Sequence, residues 1–264
     1  MGSDVSRTAR KAAKHPAIKR LAKPGFAARG VLYALLGVLA LQVAFGDGGS
    51  ADKSGAIHLV ASQPLGEVLL WVMAVGLTAL TLWQLGEAIF GRPEVRERVE
   101  SAARAVVYTL LVISIVSLLL WGTKTASTDS QSKDATSAVF ELPGGQVLVG
   151  LAALGLIGLG GYWVYEGWTQ KFMKDMFVTN LKAARLVPKL GTAGYIARGI
   201  IAVTAGILIG RSAITYDPDK AVGIDGALKS LVELPIGPVV LAMVAVGLIL
   251  FAVYCFAEAR WHRV

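Results

Sequence analysis

Six apolar stretches, separated by polar segments, dominate the pattern of this chain. They are Phe26–Gly46, Leu65–Phe90, Ala102–Gly122, Gly144–Trp168, Ala193–Ile214 and Pro235–Ala257. A helix needs about 20 predominantly apolar residues to cross a bilayer, and each stretch is that long. Val31–Leu41 and Val147–Leu159 carry no charged residue, whereas a helix of a soluble bundle keeps a polar face. Because lipid offers the backbone no hydrogen-bond partners, the pattern predicts an all-α integral membrane protein with six transmembrane helices.

The even-numbered stretches share one register, counted back from a glutamate near the end of each. The glutamates are Glu87, Glu166 and Glu258. Aromatic residues stand four positions earlier, at Trp83, Tyr162 and Tyr254. The odd-numbered stretches each carry an arginine near the start, at Arg29, Arg104 and Arg198. Such self-similarity is the signature of repeated units, so we expect three repeated antiparallel hairpins in a pseudo-threefold bundle.

The repeats predict the organisation of the whole chain. A basic tail (1–24) precedes the first hairpin (25–91), which is followed by the second hairpin (92–168). A linker (169–192), the third hairpin (193–260) and a short tail (261–264) complete the chain. These boundaries follow from the spans and from the repeated arginines and glutamates.

The linker has an amphipathic pattern of its own between Lys171 and Val187. Apolar residues recur there at helical spacing, with cations between them and Pro188 as the predicted helix stop. A helix lying at the lipid surface fits this pattern, and docking on a protein partner is the alternative. The predicted lipid-surface residues are Lys171, Phe172, Lys174, Phe177, Lys182 and Arg185.

Charge predicts how the chain sits in the bilayer. Only 17% of its 264 residues are charged, and the formal net charge is +8. The side that holds both termini carries 20 of the 26 Lys and Arg residues but only 8 of the 18 acids. Loops rich in Lys and Arg face the cytoplasm, so both termini are expected on the cytoplasmic side of a bacterial inner membrane. The partners expected for this charge are anionic lipid headgroups rather than nucleic acid.

Two segments carry a resemblance to a known family. Gly25–Tyr33 reads Gly-Phe-Ala-Ala-Arg-Gly-Val-Leu-Tyr, and Gly194–Ile200 reads Gly-Tyr-Ile-Ala-Arg-Gly-Ile. With Leu234–Gly237, these runs resemble a bacterial family of six-helix membrane proteins, Domain of Unknown Function 1206. The resemblance covers about residues 20–260 and implies the topology and three copies of a two-helix unit. It implies no activity, so no catalytic residue is expected from it.

The arginine and glutamate of each hairpin are predicted to lie at the same, cytoplasmic end. A planar guanidinium can hold a carboxylate by two hydrogen bonds, so these charges are expected to clamp helices together, within a repeat or between repeats. The alternatives are an ion or headgroup site, because charges inside membranes are often functional, and interfacial snorkelling. The three aromatic residues at the shared position are expected to be packing or interfacial residues, with a cation cage as the alternative.

The remaining chemistry is sparse. The single cysteine, Cys255, excludes a disulfide within the chain, and the three histidines lie outside the spans. No metal, cofactor or catalytic residue is therefore predicted. We expect a non-enzymatic structural or accessory membrane protein, alone or in a complex with protein partners. The alternative is an ion or small-solute pathway along the pseudo-threefold axis, gated by the six charges.

Overall fold

The computed structural model describes residues 16–45, 57, 61, 66–91, 95–121 and 128–261. Eight α-helices lie within these residues: α1 (Pro16–Ala44), α2 (Gly66–Gly86), α3 (Val95–Trp121), α4 (Thr128–Phe140), α5 (Gly145–Thr169), α6 (Leu181–Thr215), α7 (Ile224–Val232) and α8 (Gly237–Trp261). Three shorter helical segments follow α2, α5 and α6, at Glu87–Gly91, Lys171–Asp175 and Pro218–Lys220.

Six of these helices are long and apolar enough to cross a membrane, namely α1, α2, α3, α5, α6 and α8. The predicted fold class, an all-α integral membrane protein with six spanning helices in three repeated hairpins, is confirmed. Helices α1 and α3 begin earlier than predicted, at Pro16 and Val95 instead of Phe26 and Ala102. Hydropathy marks where a helix enters lipid, and a helix continues beyond that point where its backbone hydrogen bonds continue.

By its internal contacts the chain divides into two compact units. The first comprises Met1–Val31, Val60–Thr125 and Cys255–Val264, and the second comprises Leu32–Leu59 and Ala126–Tyr254. In the first unit α2 packs along α3, and in the second unit α5 packs along α6. The core of the second unit joins apolar residues of α1, α6, α7 and α8. Each unit therefore contains contacts between helices of different repeats.

The two helices of a hairpin meet at a glycine in both the first and the third repeat. A Cβ atom added to Gly76 of α2 would lie 3.0 Å from the Pro24 carbonyl oxygen and 3.4 Å from the Ala28 Cβ atom. A Cβ atom added to Gly247 of α8 would lie 2.6 Å from the Ala197 Cβ atom. These contacts join equivalent positions of the repeat, and the small residues let the helices approach closely, as is usual in lipid.

A second equivalent contact joins helices of different repeats within the second unit. Gly37 of α1 packs on α8, and an added Cβ atom would lie 2.9 Å from the Ala245 carbonyl oxygen. Gly206 of α6 packs on α5, and an added Cβ atom would lie 3.0 Å from the Ala153 carbonyl oxygen. Val112 stands at this position in the second repeat. The repeat therefore specifies contacts between hairpins as well as within them.

Short helices precede the last helix of the second and third repeats. Asp129, near the start of α4, accepts hydrogen bonds from the backbone N–H groups of Gly223 and Gly226, at 2.8 and 3.1 Å. Helix α7 begins between these glycines, and Gly223 brings no capping side chain of its own. Asp129 therefore caps α7 from another repeat, where a carboxylate also suits the positive end of the helix dipole.

The turns that lead into α5 and α8 require glycine for steric reasons. A Cβ atom added to Gly145 would collide with the Val139 carbonyl oxygen, and one added to Gly237 would collide with the Val232 carbonyl oxygen. Gly66 occupies the same position at the start of α2, 21 residues before the repeat glutamate. Close backbone approach explains why glycine recurs there.

The linker differs from its prediction. A 3₁₀ helix occupies Lys171–Asp175, and α6 then begins at Leu181 and continues through Pro188. Proline inside a helix removes one hydrogen bond and costs about 3 kcal/mol. Around this proline, Val187 is buried and Gly191 packs against the ring of Phe172. The prediction that Pro188 ends a separate interfacial helix was wrong because this tertiary packing offsets the local cost.

Candidate functional site

Arg29 of α1 is the centre of a polar cluster in the first unit. Its Nη2 atom donates to Oε2 of Glu258 on α8, forming an ion pair. Its Nη1 atom donates to the Tyr108 hydroxyl of α3 at 3.2 Å, and its Nε atom donates to the Cys255 sulfur at 3.3 Å. The guanidinium carbon also lies 5.2 Å from the centre of the Phe26 ring. One side chain thus joins three transmembrane helices.

The Arg29–Glu258 pair is shielded from solvent. The side chains are only 12% and 10% exposed. Removing one partner of a buried pair leaves an uncompensated charge, which typically costs about 3–5 kcal/mol. The cluster can therefore hold α1, α3 and α8 in register. Glu258 belongs to the third repeat and Arg29 to the first, so this pair joins two repeats.

Arg198 of α6 has aromatic surroundings in the second unit. Its guanidinium carbon lies 4.3 Å from the ring centre of Trp163 on α5 and 4.7 Å from that of Phe251 on α8. The corresponding distances to the Tyr33 and Tyr195 rings are 5.4 and 5.6 Å. A cation within about 6 Å of a ring centre is attracted by the negative face of the ring, and more strongly when desolvated.

The two arginine environments use the same repeat positions. Cys255 and Trp163 each stand three residues before the repeat glutamate, and they contact Arg29 and Arg198, respectively. The tyrosine four residues after an arginine contacts the arginine of another repeat: Tyr108 contacts Arg29, and Tyr33 contacts Arg198. The same arrangement is therefore found around both arginines. It differs in the side chain three residues before the glutamate, which is a cysteine beside Arg29 and a tryptophan beside Arg198.

The other three predicted charges occupy the corresponding positions of the repeat. Glu87 begins the π-helical segment after α2 and is half-buried, as is Arg104 of α3. Glu166 of α5 is buried. The first two residues belong to the first unit, and Glu166 belongs to the second unit with Arg198. Their roles as clamps or gates stay predictions.

The aromatic residues at the shared position lie in different surroundings. Trp83 is buried, and its ring centre lies 5.6 Å from that of Phe26. Tyr162 is half-buried. Tyr254 is buried in an aromatic cluster with Phe251 and Phe172. Among the described residues, no group of three or more His, Cys, Asp or Glu side chains is placed to hold a metal ion.

The predicted lipid surface contains one wrong residue. The side chains of Lys171, Lys174, Lys182, Arg185 and Phe177 are exposed. Phe172, in contrast, is buried and stacks on Tyr195 with ring centres 4.9 Å apart. A 3₁₀ helix has a different periodicity from an α-helix, so the face expected from α-helical spacing was not the face observed.

Sequence reasoning missed several neighbours of the two arginines. Cys255 entered the sequence analysis only because a single cysteine excludes a disulfide, yet its sulfur accepts a hydrogen bond from Arg29. Trp163 and Gln84 share its repeat position, and Gln84 is buried. The signal that could have found Cys255 and Trp163 was the fixed offset of three residues from the glutamates. Tyr33 and Tyr108 were visible as a repeated position, but their contacts with arginines of other repeats were not.

Comparison with known proteins identifies a family. The family described as Domain of Unknown Function (DUF1206) matches residues 24–91, 99–170 and 193–262. The chain is 33% identical over 257 residues to the uncharacterized protein YxxB of Bacillus subtilis (strain 168), across 94% of this chain and 92% of that protein. No solved structure matches the chain. The chain therefore belongs to the DUF1206 family, as its repeated motifs predicted, and it carries three matches to the family unit.

Proposed function

We propose that this protein is a non-enzymatic structural or accessory component of the bacterial cytoplasmic membrane, or of a complex within it. The observation that supports this role best is that Arg29 and Arg198 contact side chains of neighbouring helices. Arg29 engages α8 and α3, and Arg198 engages α1, α5 and α8. Charges committed to such contacts suit a clamp better than a gate, because a gate must release its partner to open.

Flux into proteoliposomes tests this role directly. The full chain is reconstituted, and the movement of protons, small cations and small anions is compared with that into empty vesicles. We expect no difference. Flux above empty vesicles would overturn the proposal, and its loss in Glu87→Gln or Glu258→Gln would assign it to a pathway gated by these charges. Glu67→Gln is the matched control, because Glu67 is exposed at the start of α2, at the opposite end from Glu87.

The proposed orientation places both termini in the cytoplasm, on the basis of the asymmetry of Lys and Arg. The single cysteine makes a labelling test simple, since Cys255→Ala provides a background without thiols. A membrane-impermeant thiol reagent added to intact cells is expected to label Lys220→Cys and to spare Lys182→Cys. After permeabilisation it should label both. The opposite pattern would contradict the orientation.

The partners of an accessory protein should remain with it during gentle purification. We expect protein subunits in a fixed ratio to this chain, or tightly held anionic lipid, after extraction in a mild detergent. The Arg29→Gln variant, whose helix packing should be weaker, is expected to retain less of either partner. Recovery of the bare chain from both preparations would contradict the role.

A further inference from the structure

The segment that follows α5, which the proposed orientation places on the cytoplasmic side, carries five exposed cations. Its exposed cations are Lys171, Lys174, Lys182, Arg185 and Lys189, and we refer to these five residues as the basic platform. We propose that the basic platform binds the phosphate groups of anionic phospholipids in the adjoining leaflet. This inference deepens the accessory role proposed above by naming a lipid partner.

Helix length places three of the five basic-platform residues, those on α6, beyond the hydrocarbon core. Helix α6 has 35 residues and is therefore about 52 Å long at 1.5 Å per residue, against about 30 Å of hydrocarbon. The contact between α5 and α6 shows independently how far α6 extends beyond the end of α5. The Thr192 hydroxyl donates to the Gly167 carbonyl oxygen at 2.9 Å, two residues before α5 ends. The part of α6 before Thr192 thus extends past the end of α5.

The cations on this extension share one face. Lys182, Arg185 and Lys189 are spaced by three and four residues, which brings them to the same side of a helix. Asn180 fixes the start of this helix, because its side-chain oxygen accepts from the backbone N–H groups of Lys182 and Ala183 at 2.8 and 3.3 Å. The three positive charges are thereby presented together on an ordered helix.

The 3₁₀ segment holds the remaining two cations in place. Buried Phe172 anchors it beneath α6 through Tyr195, and Met176 at its end is also buried. The Lys171 ammonium nitrogen lies 4.6 Å from the centre of the exposed Tyr165 ring. Tyrosine near the end of a spanning helix is typical of the headgroup level. Lys171 and Lys174 are therefore exposed residues of a segment that buried Phe172 and Met176 hold in the second unit.

Exposed apolar side chains beside the basic platform identify a lipid leaflet as the partner. Trp168 is 79% exposed, Phe177 is 61% exposed and Leu181 is 84% exposed. A surface that presents large apolar groups next to cations matches the boundary between acyl chains and anionic headgroups. An acidic soluble protein would account for the cations but not for these apolar residues.

Lipid titration tests the proposal with the full chain in a mild detergent. Bound lipid is counted by native mass spectrometry as phosphatidylglycerol or phosphatidylcholine is added. We expect phosphatidylglycerol to bind preferentially, and the triple variant Lys182→Gln, Arg185→Gln, Lys189→Gln to weaken that binding by about 10-fold or more. The matched control is the triple variant Lys133→Gln, Arg211→Gln, Lys220→Gln, which removes the same charge from the opposite ends of the helices and should bind as the native chain does.

Equal phosphatidylglycerol binding by the two triple variants would overturn the proposal. The proposal would also be overturned if an acidic polyglutamate peptide bound to the native chain but not to the first triple variant, while lipid bound equally to both. If the first triple variant fails to fold, Lys171→Gln with Lys174→Gln provides the same comparison on the 3₁₀ segment. Neither flux nor the retention of protein subunits enters these readouts. Loss of the lipid preference would therefore leave the accessory role standing, and flux above empty vesicles would leave the lipid proposal standing.

Discussion

Gly160 of α5 and Gly199 of α6 pack backbone against backbone. A Cβ atom added to Gly160 would lie 2.7 Å from the Gly199 carbonyl oxygen, and one added to Gly199 would lie 2.6 Å from the Gly160 carbonyl oxygen. Neither contact can be relieved by turning a side chain, because the atoms met belong to the backbone. The packing of α5 on α6 in the second unit therefore depends on two residues without side chains.

Gly160→Ala should destabilise the protein, and its neighbour Gly161→Ala should not. Overpacking a close contact costs about 1–3 kcal/mol, so we expect a lower thermal unfolding midpoint in detergent for Gly160→Ala. An added Cβ atom on Gly161 meets nothing within 4 Å, and alanine favours a helix over glycine by about 1 kcal/mol. Equal midpoints for the two variants would contradict the observed contact.

Arg29 and Glu258 should show a strong energetic coupling. We expect Arg29→Gln and Glu258→Gln each to lower stability, and the double variant to lose less than the sum by about 0.5–3 kcal/mol, because the contact can be broken only once. Thermal or denaturant unfolding in detergent measures the cycle. The control cycle joins Arg29→Gln with Glu67→Gln, which should be additive. Additivity in both cycles would reject the clamp.

Glu166 should couple to Arg198 rather than to Arg104 of its own repeat. In the described pair, the glutamate of one repeat holds the arginine of another, and the residue three before it contacts that arginine. Trp163 stands three before Glu166 and contacts Arg198. Two double-mutant cycles decide which arginine is coupled to Glu166. Both use Glu166→Ala, one with Arg198→Ala and one with Arg104→Ala, and unfolding in detergent measures the stability of each variant. Coupling with Arg104 alone would show that the repeats do not share one pairing rule.

Phe172→Ala and Phe177→Ala should differ although both residues lie in the same linker. Phe172 is buried against Tyr195 and Tyr254, and loss of a buried phenylalanine typically costs about 3–5 kcal/mol. Phe177 is 61% exposed. We expect a large fall in the unfolding midpoint for the first variant only. Comparable falls would indicate that the aromatic cluster does not support the linker.

Asp129→Ala should weaken the contact between α4 and α7. Loss of an N-cap costs about 0.5–2 kcal/mol, and Asp129 caps α7 through two backbone N–H groups. Asp134→Ala provides the control, because this side chain is exposed on the same helix. Hydrogen exchange at the amides of Gly223 and Gly226 should accelerate in the first variant and stay unchanged in the second. Unchanged exchange in both would contradict capping from α4.

The spanning helices and the equivalent positions of the repeats can be predicted from the sequence for a simple physical reason. A bilayer imposes one length and one composition on every spanning helix, so hydropathy alone identifies the six spans. The repeat register then identifies which positions are equivalent, including the glycines at Gly76 and Gly247. Helix ends were less certain, because hydropathy reports the boundary of the lipid and not the end of hydrogen bonding.

Tertiary structure decided what lies beside each residue. Spacing along antiparallel helices predicts the depth of Arg29 and Glu258 in the bilayer, and each of the three repeats places one glutamate near that depth. Several carboxylates are therefore at the right level, and only lateral packing selects the one that Arg29 contacts. The same holds for Pro188 and Phe172, where local rules predicted a helix end and a lipid contact. Packing of α6 on an aromatic cluster outweighed both local preferences.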